Sequence, residues 1–158
     1  MELNTKVPDF TLLTDENQQV SLSDYAGKPV VLFFYPRANT PGCTIEACGF
    51  RDTFTKLTKA GVTVLGISRD TPAAQAKFRA KYELPYTLLA DVDEAVCNLF
   101  GVLKQKNMYG KKVWGIERTT YLIGPDGTLL HIFPKVKPEG HAEEVLALVK
   151  EWQKENRI

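Results

Sequence analysis

Two of the three cysteines of this 158-residue chain, Cys43 and Cys48, lie five residues apart in a stretch that leaves an apolar run and enters a helical pattern. Thr40 is a favourable helix N-cap and Pro41 a favourable first helical residue, so Cys43 falls in the first turn. Unpaired backbone N–H groups and the helix dipole favour an anion there, and a thiolate is such an anion. This placement favours Cys43 as a nucleophile over a residue that only fills space.

A helix N-terminus alone does not make a thiol enzyme. Complete ionisation of a thiol whose pKa is about 8.5 raises the thiolate concentration at pH 7 by roughly 30-fold, or about 2 kcal/mol. Further donors must stabilise the charge that moves to the leaving atom, and a hydroxyl and a guanidinium are suitable. Thr40 supplies a hydroxyl three residues before Cys43, and the candidate guanidiniums are those of Arg37, Arg51 and Arg118. Spacing in the sequence does not choose among these three.

The five-residue spacing also constrains any bond between Cys43 and Cys48. In an intact α-helix their Cα atoms are about 9 Å apart, on sides that differ by roughly 140°. A disulfide tolerates at most about 7 Å. The hypothesis that follows is a dithiol that switches between a wound, reduced form and an opened, oxidised form.

Two other chemistries of cysteine fit less well. Structural zinc requires four ligands, and Cys97, His131 and His141 provide no second close pair beside the C-x4-C, so we predict no metal. The C-x-x-C of thioredoxin-type oxidoreductases is absent. Cys97 follows an apolar residue of a short helical pattern and is expected to pack, while both histidines are expected at the surface or at a helix cap.

The elements that must position these residues alternate between strands and helices. The apolar run 29–35 predicts a strand covered on both faces, and it continues into a helix over 41–60 and a strand over 62–67. The remaining patterns predict a hairpin of 10–13 with 19–22, a helix over 71–82, a strand over 86–90, a short helix capped by Asp93, a hairpin of 119–123 with 128–133, and an amphipathic helix over 142–152. Together they predict an α/β sandwich with a mixed central sheet.

Length and composition restrict the class of protein. A chain of 158 residues with 44% hydrophobic and 25% charged residues predicts one domain, 1–158. Twenty basic against nineteen acidic residues leave no global field for nucleic acid or anionic lipid. The N-terminus lacks a signal-peptide pattern and no apolar run could span a membrane, so a cytoplasmic protein is expected, in which cysteines usually serve catalysis, metal binding or packing.

The region 104–114 carries weaker signals. Lys104, Lys106, Lys111 and Lys112 predict a solvated basic loop, with a docking surface for another protein as the alternative. Trp114, together with Phe133, is a candidate for an apolar wall of the site.

Pro36-x-x-x-Thr40-x-x-Cys43 followed by Cys48 resembles the peroxidatic motif of the peroxiredoxins, and most closely that of the bacterioferritin comigratory protein, or PrxQ, subfamily. The resemblance extends over 27–36, 46–52, 111–112 and 118–120. It implies a thioredoxin-like fold, a mixed central β-sheet flanked by helices. It also implies an antioxidant peroxidase in which Cys43 reacts with hydrogen peroxide or an organic hydroperoxide to a sulfenic acid, and Cys48 resolves it as an intramolecular disulfide.

The resemblance also assigns roles to the remaining matched residues. It makes Arg118 the guanidinium beside the sulfur, Thr40 the hydroxyl that orients the peroxide, and Pro36 a shield against water. Glu46 either positions Arg118 or complements the helix N-terminus. The loop Arg37-Ala38-Asn39 is more positive than in many relatives, which leaves the choice of reductant open.

The partners implied are a peroxide and a thioredoxin or glutaredoxin as reductant, with no metal and no organic cofactor, and the resemblance favours a monomer. If the basic loop is a docking surface, the protein that docks there would be the reductant. An apolar wall of Trp114 and Phe133 would favour small organic hydroperoxides as well as hydrogen peroxide. The alternative from another class is a non-catalytic redox sensor or holdase that forms the same disulfide without rapid turnover.

Overall fold

The computed structural model describes residues 1–156, except for the side chain of Met108. Its elements in chain order are β1 Thr11–Thr14, β2 Gln19–Ser21, a 3-10 turn Leu22–Tyr25, β3 Val30–Phe34, α1 Pro41–Lys59, β4 Thr63–Ser68, α2 Pro72–Tyr82, β5 Thr87–Ala90, α3 Ala95–Phe100, β6 Leu103–Met108, β7 Lys111–Ile116, β8 Thr119–Ile123, β9 Leu129–Phe133 and α4 His141–Glu155.

Seven strands form one mixed sheet in the order β2-β1-β5-β4-β3-β8-β9. β3 is parallel to β4, and β4 is parallel to β5. The remaining neighbours are antiparallel, including β8, which pairs with the other edge of β3. β3 therefore lies inside the sheet, and all five of its residues are buried, as its continuous apolar run predicted.

Side chains alternate along β3 into two apolar clusters, because successive residues of a strand point to opposite faces. Phe33 stacks on Phe50 of α1 on one face, with ring centroids 4.6 Å apart. Phe34 packs on the other face against Phe100 of α3 and Tyr121 of β8. The sheet thus carries α1 and α4 on one side and α3 on the other, and the chain has the mixed sheet flanked by helices of a thioredoxin-like fold.

The predicted hairpins, the β3-α1-β4 unit and the C-terminal helix are confirmed, but one local prediction is wrong and another holds only in part. Residues 103–116 do not form a loop: β6 and β7 pair as a separate two-stranded hairpin that carries the four lysines. Asp93 is not at the N-cap position of α3, which Glu94 occupies, but its carboxylate accepts the N–H of Ala95, the first residue of the helix. The carboxylate of Asp91 accepts the next two N–H groups, those of Val96 and Cys97. No helix among residues 1–156 is long and apolar enough to cross a membrane.

Candidate active site

Cys43 is the third residue of α1 and is 1% exposed. Thr40 occupies the N-cap position with extended backbone angles, Pro41 begins the helix, and the first helical hydrogen bond runs from the N–H of Thr44 to the carbonyl of Thr40. The backbone N–H of Cys43 therefore lies in the first turn of α1, where no preceding helical carbonyl can accept it. The sulfur lies at the positive end of the helix, as the sequence predicted.

Arg118 is brought to this turn by the sheet. β8 pairs antiparallel with β3, and Thr119 lies opposite Phe34, so the residue before β8 meets the loop that follows β3. Nη2 of Arg118 donates to Sγ of Cys43 at 3.5 Å, and Nη1 donates to Oε1 of Glu46 at 2.7 Å. Of the three candidate guanidiniums, the one that the structure places beside the sulfur of Cys43 is that of Arg118.

The carboxylate of Glu46 has no exposed surface. Its Oε2 is buried without a hydrogen-bond partner among the described residues. Burial raises the pKa of Glu46 to about 7, and the guanidinium of Arg118 opposes that rise. Burial acts to lower the pKa of Arg118, but Glu46 and Cys43 outweigh it and raise that pKa. A permanent cation therefore sits between the sulfur and a carboxylate that can gain a proton near neutral pH.

The close approach of Arg118 needs a glycine at position 42. A Cβ built on Gly42 would lie 3.1 Å from Nη2 of Arg118 and 3.4 Å from Cγ of Pro138. The distance to Nη2 is shorter than an ordinary van der Waals contact, whereas the distance to Pro138 is ordinary, so a side chain here would push the guanidinium away from the sulfur.

Thr40 occupies the predicted N-cap but does not cap the helix with its side chain. Its hydroxyl donates to the carbonyl of Arg37 at 2.8 Å. This bond fixes the orientation of the hydroxyl and leaves its lone pairs for another donor. Arg37 itself is exposed, and Pro36 is half-buried where β3 ends and the loop begins.

The loop before α1 is anchored to the neighbouring strand and helix. The N–H of Ala38 donates to Asp70, whose carboxylate also accepts the hydroxyl of Ser68. Asn39 adopts a left-handed backbone conformation with φ of 61°, and its side chain accepts from Tyr82 and Lys81. The loop that carries Thr40 is therefore held by both β4 and α2.

Cys48 lies further along α1 and is half-buried, with a free thiol. Arg51, one turn later, donates to the carbonyl of Tyr82 and to Asp52, so it is occupied away from the sulfur of Cys43. Cys97 is buried in the cluster on the opposite face of the sheet, and burial with Asp91 beside it raises its pKa. This environment makes Cys97 a packing residue, as expected from the sequence.

The sequence predicts His141 at the surface or at a helix cap. Both alternatives are wrong, because Gly140 is the N-cap of α4 and His141 is buried. It begins α4 with 2% exposure, its Nε2 lies 2.8 Å from the hydroxyl of Thr120, and its ring packs against Phe133 and Phe50. Burial and the charge of Arg118 lower its pKa to about 4. Its place at a helix start gave no sign of this, because the partner Thr120 is distant in the sequence.

The structure places the two aromatic candidates for the wall of the site differently, with Phe133 alone in the apolar cluster that contains Cys43. Phe133 is buried against His141, while Trp114 is 57% exposed on the β6–β7 hairpin. Within residues 1–156, no three His, Cys, Asp or Glu side chains are grouped to hold a metal ion.

Comparison with known proteins agrees with this geometry. The AhpC/TSA family matches residues 3–132. The chain is 54% identical over 146 residues to the putative peroxiredoxin bcp of Coxiella burnetii, which covers 92% of this chain and 97% of that protein. It is 46% identical over 144 residues to the peroxiredoxin Bcp of Escherichia coli, covering 91% and 92%.

Solved structures give the same result. The bacterioferritin comigratory protein of Xanthomonas campestris superposes with a TM-score of 0.86 at 42% identity, covering 90% of this chain and 91% of the other. A PrxQ mutant of Xylella fastidiosa superposes with a TM-score of 0.91 at 36% identity, covering 96% and 97%. The chain belongs to the AhpC/TSA family and, within it, to the peroxiredoxins of the Bcp/PrxQ group. Peroxiredoxins are thiol peroxidases, so the protein is an enzyme that reduces peroxides with a cysteine.

Proposed function

We propose that Cys43 is the residue that attacks the peroxide. Its thiolate bonds to one peroxide oxygen as the O–O bond breaks, and the other oxygen leaves as water or an alcohol after it gains a proton. The protein is left with a sulfenic acid on Cys43. The observation that carries this assignment is the 3.5 Å contact between Nη2 of Arg118 and the buried Sγ of Cys43 in the first turn of α1.

Arg118 and Thr40 supply the stabilisation of the transition state that the first turn of the helix alone does not provide. Negative charge moves from sulfur to the departing oxygen, and a fixed cation beside the sulfur stabilises that charge in a site from which water is largely excluded. The hydroxyl of Thr40 has its proton committed to Arg37 and offers a lone pair to the hydrogen of the peroxide. Glu46 holds Arg118 in place, and Pro36 covers the end of β3 against water.

Cys48 resolves the sulfenic acid in this proposal. Its thiol attacks the sulfur of Cys43, the S–O bond breaks, and water leaves as the Cys43–Cys48 disulfide forms. Since both residues lie in one continuous helix, α1 must open between them for the bond to form. A thioredoxin or glutaredoxin then reduces the disulfide by thiol exchange.

The substrate class includes alkyl hydroperoxides as well as hydrogen peroxide. The support is the Xanthomonas campestris relative, whose structures concern its alkyl peroxide reduction activity. A cytoplasmic monomer completes the proposal. The small, odd number of cysteines suits a reducing compartment, and the monomer follows from the likeness to the Bcp/PrxQ group.

Stopped-flow reaction with hydrogen peroxide, followed by intact mass and disulfide mapping, tests this assignment. The wild type should lose two hydrogens and yield a Cys43–Cys48 bridge. Cys48→Ser should gain one oxygen and lose thioredoxin-supported turnover, and Cys43→Ser should be inert. A fully active Cys43→Ser variant would remove the mechanism. A rate no better than that of a free thiol would instead leave a redox switch without catalysis.

A further inference from the structure

The segment 43–48 of α1, here called the switch segment, contacts Arg118 through the side chains of Cys43 and Glu46, and its backbone accepts a buried hydrogen bond from the residue that precedes β5. The hydroxyl of Tyr86 donates to the carbonyl of Ala47 at 2.6 Å. Ala47 is fully buried and immediately precedes Cys48, and Tyr86 is 3% exposed. A side chain from outside the helix therefore holds the backbone between the two cysteines.

The ring of Tyr86 is itself fixed by its neighbours. It packs edge-on against Phe33 of β3 with centroids 5.7 Å apart, and its other neighbour is Phe54 of α1 at 6.2 Å. Burial raises the pKa of Tyr86 well above its ordinary value, so the hydroxyl keeps its proton and remains a donor. The sheet thus presents a rigid donor to the one stretch of helix that must move.

We propose that Tyr86 is a positioning residue that holds the switch segment wound, and so sets how fast Cys48 reaches the sulfenic acid of Cys43. This inference rests on the Cys43–Cys48 disulfide of the proposed function. When the segment opens, Ala47 withdraws its carbonyl and leaves a buried hydroxyl without a partner, which opposes opening. The wound state is also the state in which Arg118 contacts Cys43, so the same bond prolongs the form that reacts with peroxide.

Slower formation of the Cys43–Cys48 disulfide, here called closure, has a chemical consequence. A sulfenic acid that waits can react with a second peroxide: its sulfur bonds to a peroxide oxygen, the O–O bond breaks, and a sulfinic acid and water or an alcohol result. Tyr86 therefore also determines the peroxide concentration at which the enzyme becomes over-oxidised.

Gly49 acts in the opposite sense at the end of the switch segment. Glycine weakens a helix interior relative to alanine, which favours opening. A Cβ at this position would meet only the Cβ of Ala142, at 3.4 Å, an ordinary van der Waals contact. Gly49→Ala is thus a compatible substitution that should hold the segment wound more strongly.

The test compares three variants by rapid mixing with peroxide, acid quenching and intact mass, which separates sulfenic acid, disulfide and sulfinic acid. In Tyr86→Phe, closure should be about fivefold faster, and the peroxide concentration that gives half sulfinic acid should be about fivefold higher. In Gly49→Ala the rate of disulfide formation and the peroxide concentration that gives half sulfinic acid should each fall roughly threefold to fivefold. The rate of sulfenic acid formation should be unchanged in both.

Tyr121→Phe is the matched control. Its hydroxyl also donates to a buried carbonyl, that of Phe100 at 3.0 Å, but on the opposite face of the sheet from α1. The Tyr121→Phe protein should lose about as much free energy of unfolding as Tyr86→Phe, but its ratio of disulfide to sulfinic acid should equal that of the wild type. A Tyr86→Phe variant that closes at the wild-type rate or more slowly would overturn the proposal.

Amide hydrogen exchange on the reduced proteins is the second measurement, and it needs no peroxide. Residues 44–49 should exchange about fivefold faster in Tyr86→Phe, while β3 and β8 should exchange as in a Tyr121→Phe protein of equal stability. Equal protection of residues 44–49 in the two variants would overturn the proposal that Tyr86 holds the switch segment wound. Absence of a Cys43–Cys48 bridge in the wild type would instead refute the proposed resolving step, so the two failures are distinguishable.

Discussion

Glu46 holds the guanidinium of Arg118 at 2.7 Å although the two residues are 72 positions apart in the chain. The carboxylate is fully buried, and Arg118 uses its other terminal nitrogen for the sulfur of Cys43. Because a charge-assisted bond fixes one side of the planar guanidinium, the other side is directed at the sulfur without further contacts. The ion pair thus orients the cation that the proposed reaction uses.

Glu46→Gln should therefore slow attack on hydrogen peroxide. A neutral amide holds Arg118 less firmly, and we expect the second-order rate constant to fall about tenfold at pH 8.5. In the wild type, Glu46 gains a proton as the pH falls through about 7, so the wild-type-to-variant ratio should shrink towards one below pH 6. Stopped-flow rates of both proteins across this range give the ratio; a tenfold ratio that does not change with pH would contradict the role of the charge.

Gly42→Ala should also displace Arg118, for a steric reason. The added methyl would lie 3.1 Å from Nη2, so the guanidinium must move away from the sulfur, and the rate of sulfenic acid formation should fall about tenfold. Gly49→Ala is the control, since it raises helix propensity alike but has only Ala142 nearby. Equal attack rates for Gly42→Ala and the wild type would show that the close approach is dispensable.

Thr40→Val should lose most of the peroxide reactivity, whereas Thr40→Ser should retain it. Valine removes the bond to the carbonyl of Arg37 and the oxygen that is proposed to accept from the peroxide, and we expect a loss of about 100-fold in the rate. Single-turnover rates with hydrogen peroxide and an alkyl hydroperoxide measure it. A single-turnover rate of Thr40→Val within threefold of that of Thr40→Ser would leave the hydroxyl without a catalytic role.

His141 should make the fold sensitive to acid. Its pKa is lowered to about 4 in the native state from an ordinary value near 6.5, so the unfolded chain binds the proton first as the pH falls. The stabilisation is present above pH 6.5 and is lost as the pH falls towards 4, amounting to about 2 kcal/mol between pH 7 and pH 5.

Urea unfolding of His141→Gln at these two pH values measures that loss. Glutamine can still bond to Thr120, and the variant should lose about 2 kcal/mol less than the wild type on going from pH 7 to pH 5. Glu46 is common to both proteins and its raised pKa acts in the opposite direction, so the difference isolates His141. Identical losses in the two proteins would exclude His141 as the source.

Local patterns predicted the elements around the nucleophile. The apolar run before Pro36 and the Thr40-Pro41 start are properties of adjacent residues, so they placed β3, α1 and the first-turn position of Cys43 correctly. The choice of Arg118 needed the resemblance, because the register between β3 and β8 that delivers it is a long-range property.

The failures have the same origin. Residues 103–116 are rich in lysine and lack the alternating apolar face of a packed strand, so the hairpin of β6 and β7 was not predicted. The buried state of His141 and the bond from Tyr86 to Ala47 depend on partners brought together by the sheet. Neither the burial of His141 nor this hydrogen bond can be predicted from the spacing of residues along the chain.

The 1% exposure of Cys43 would fix the order of steps in the proposed catalytic cycle. A small peroxide can diffuse to a sulfur that a protein surface cannot touch, so the first encounter would admit only small molecules. A reducing protein needs a sulfur that it can approach over a broad surface, and in the proposed cycle Cys43 offers none until the helix has opened. Oxidant and reductant would then react in turn because of their different sizes, and the reductant would not be held by an enzyme that carries no disulfide.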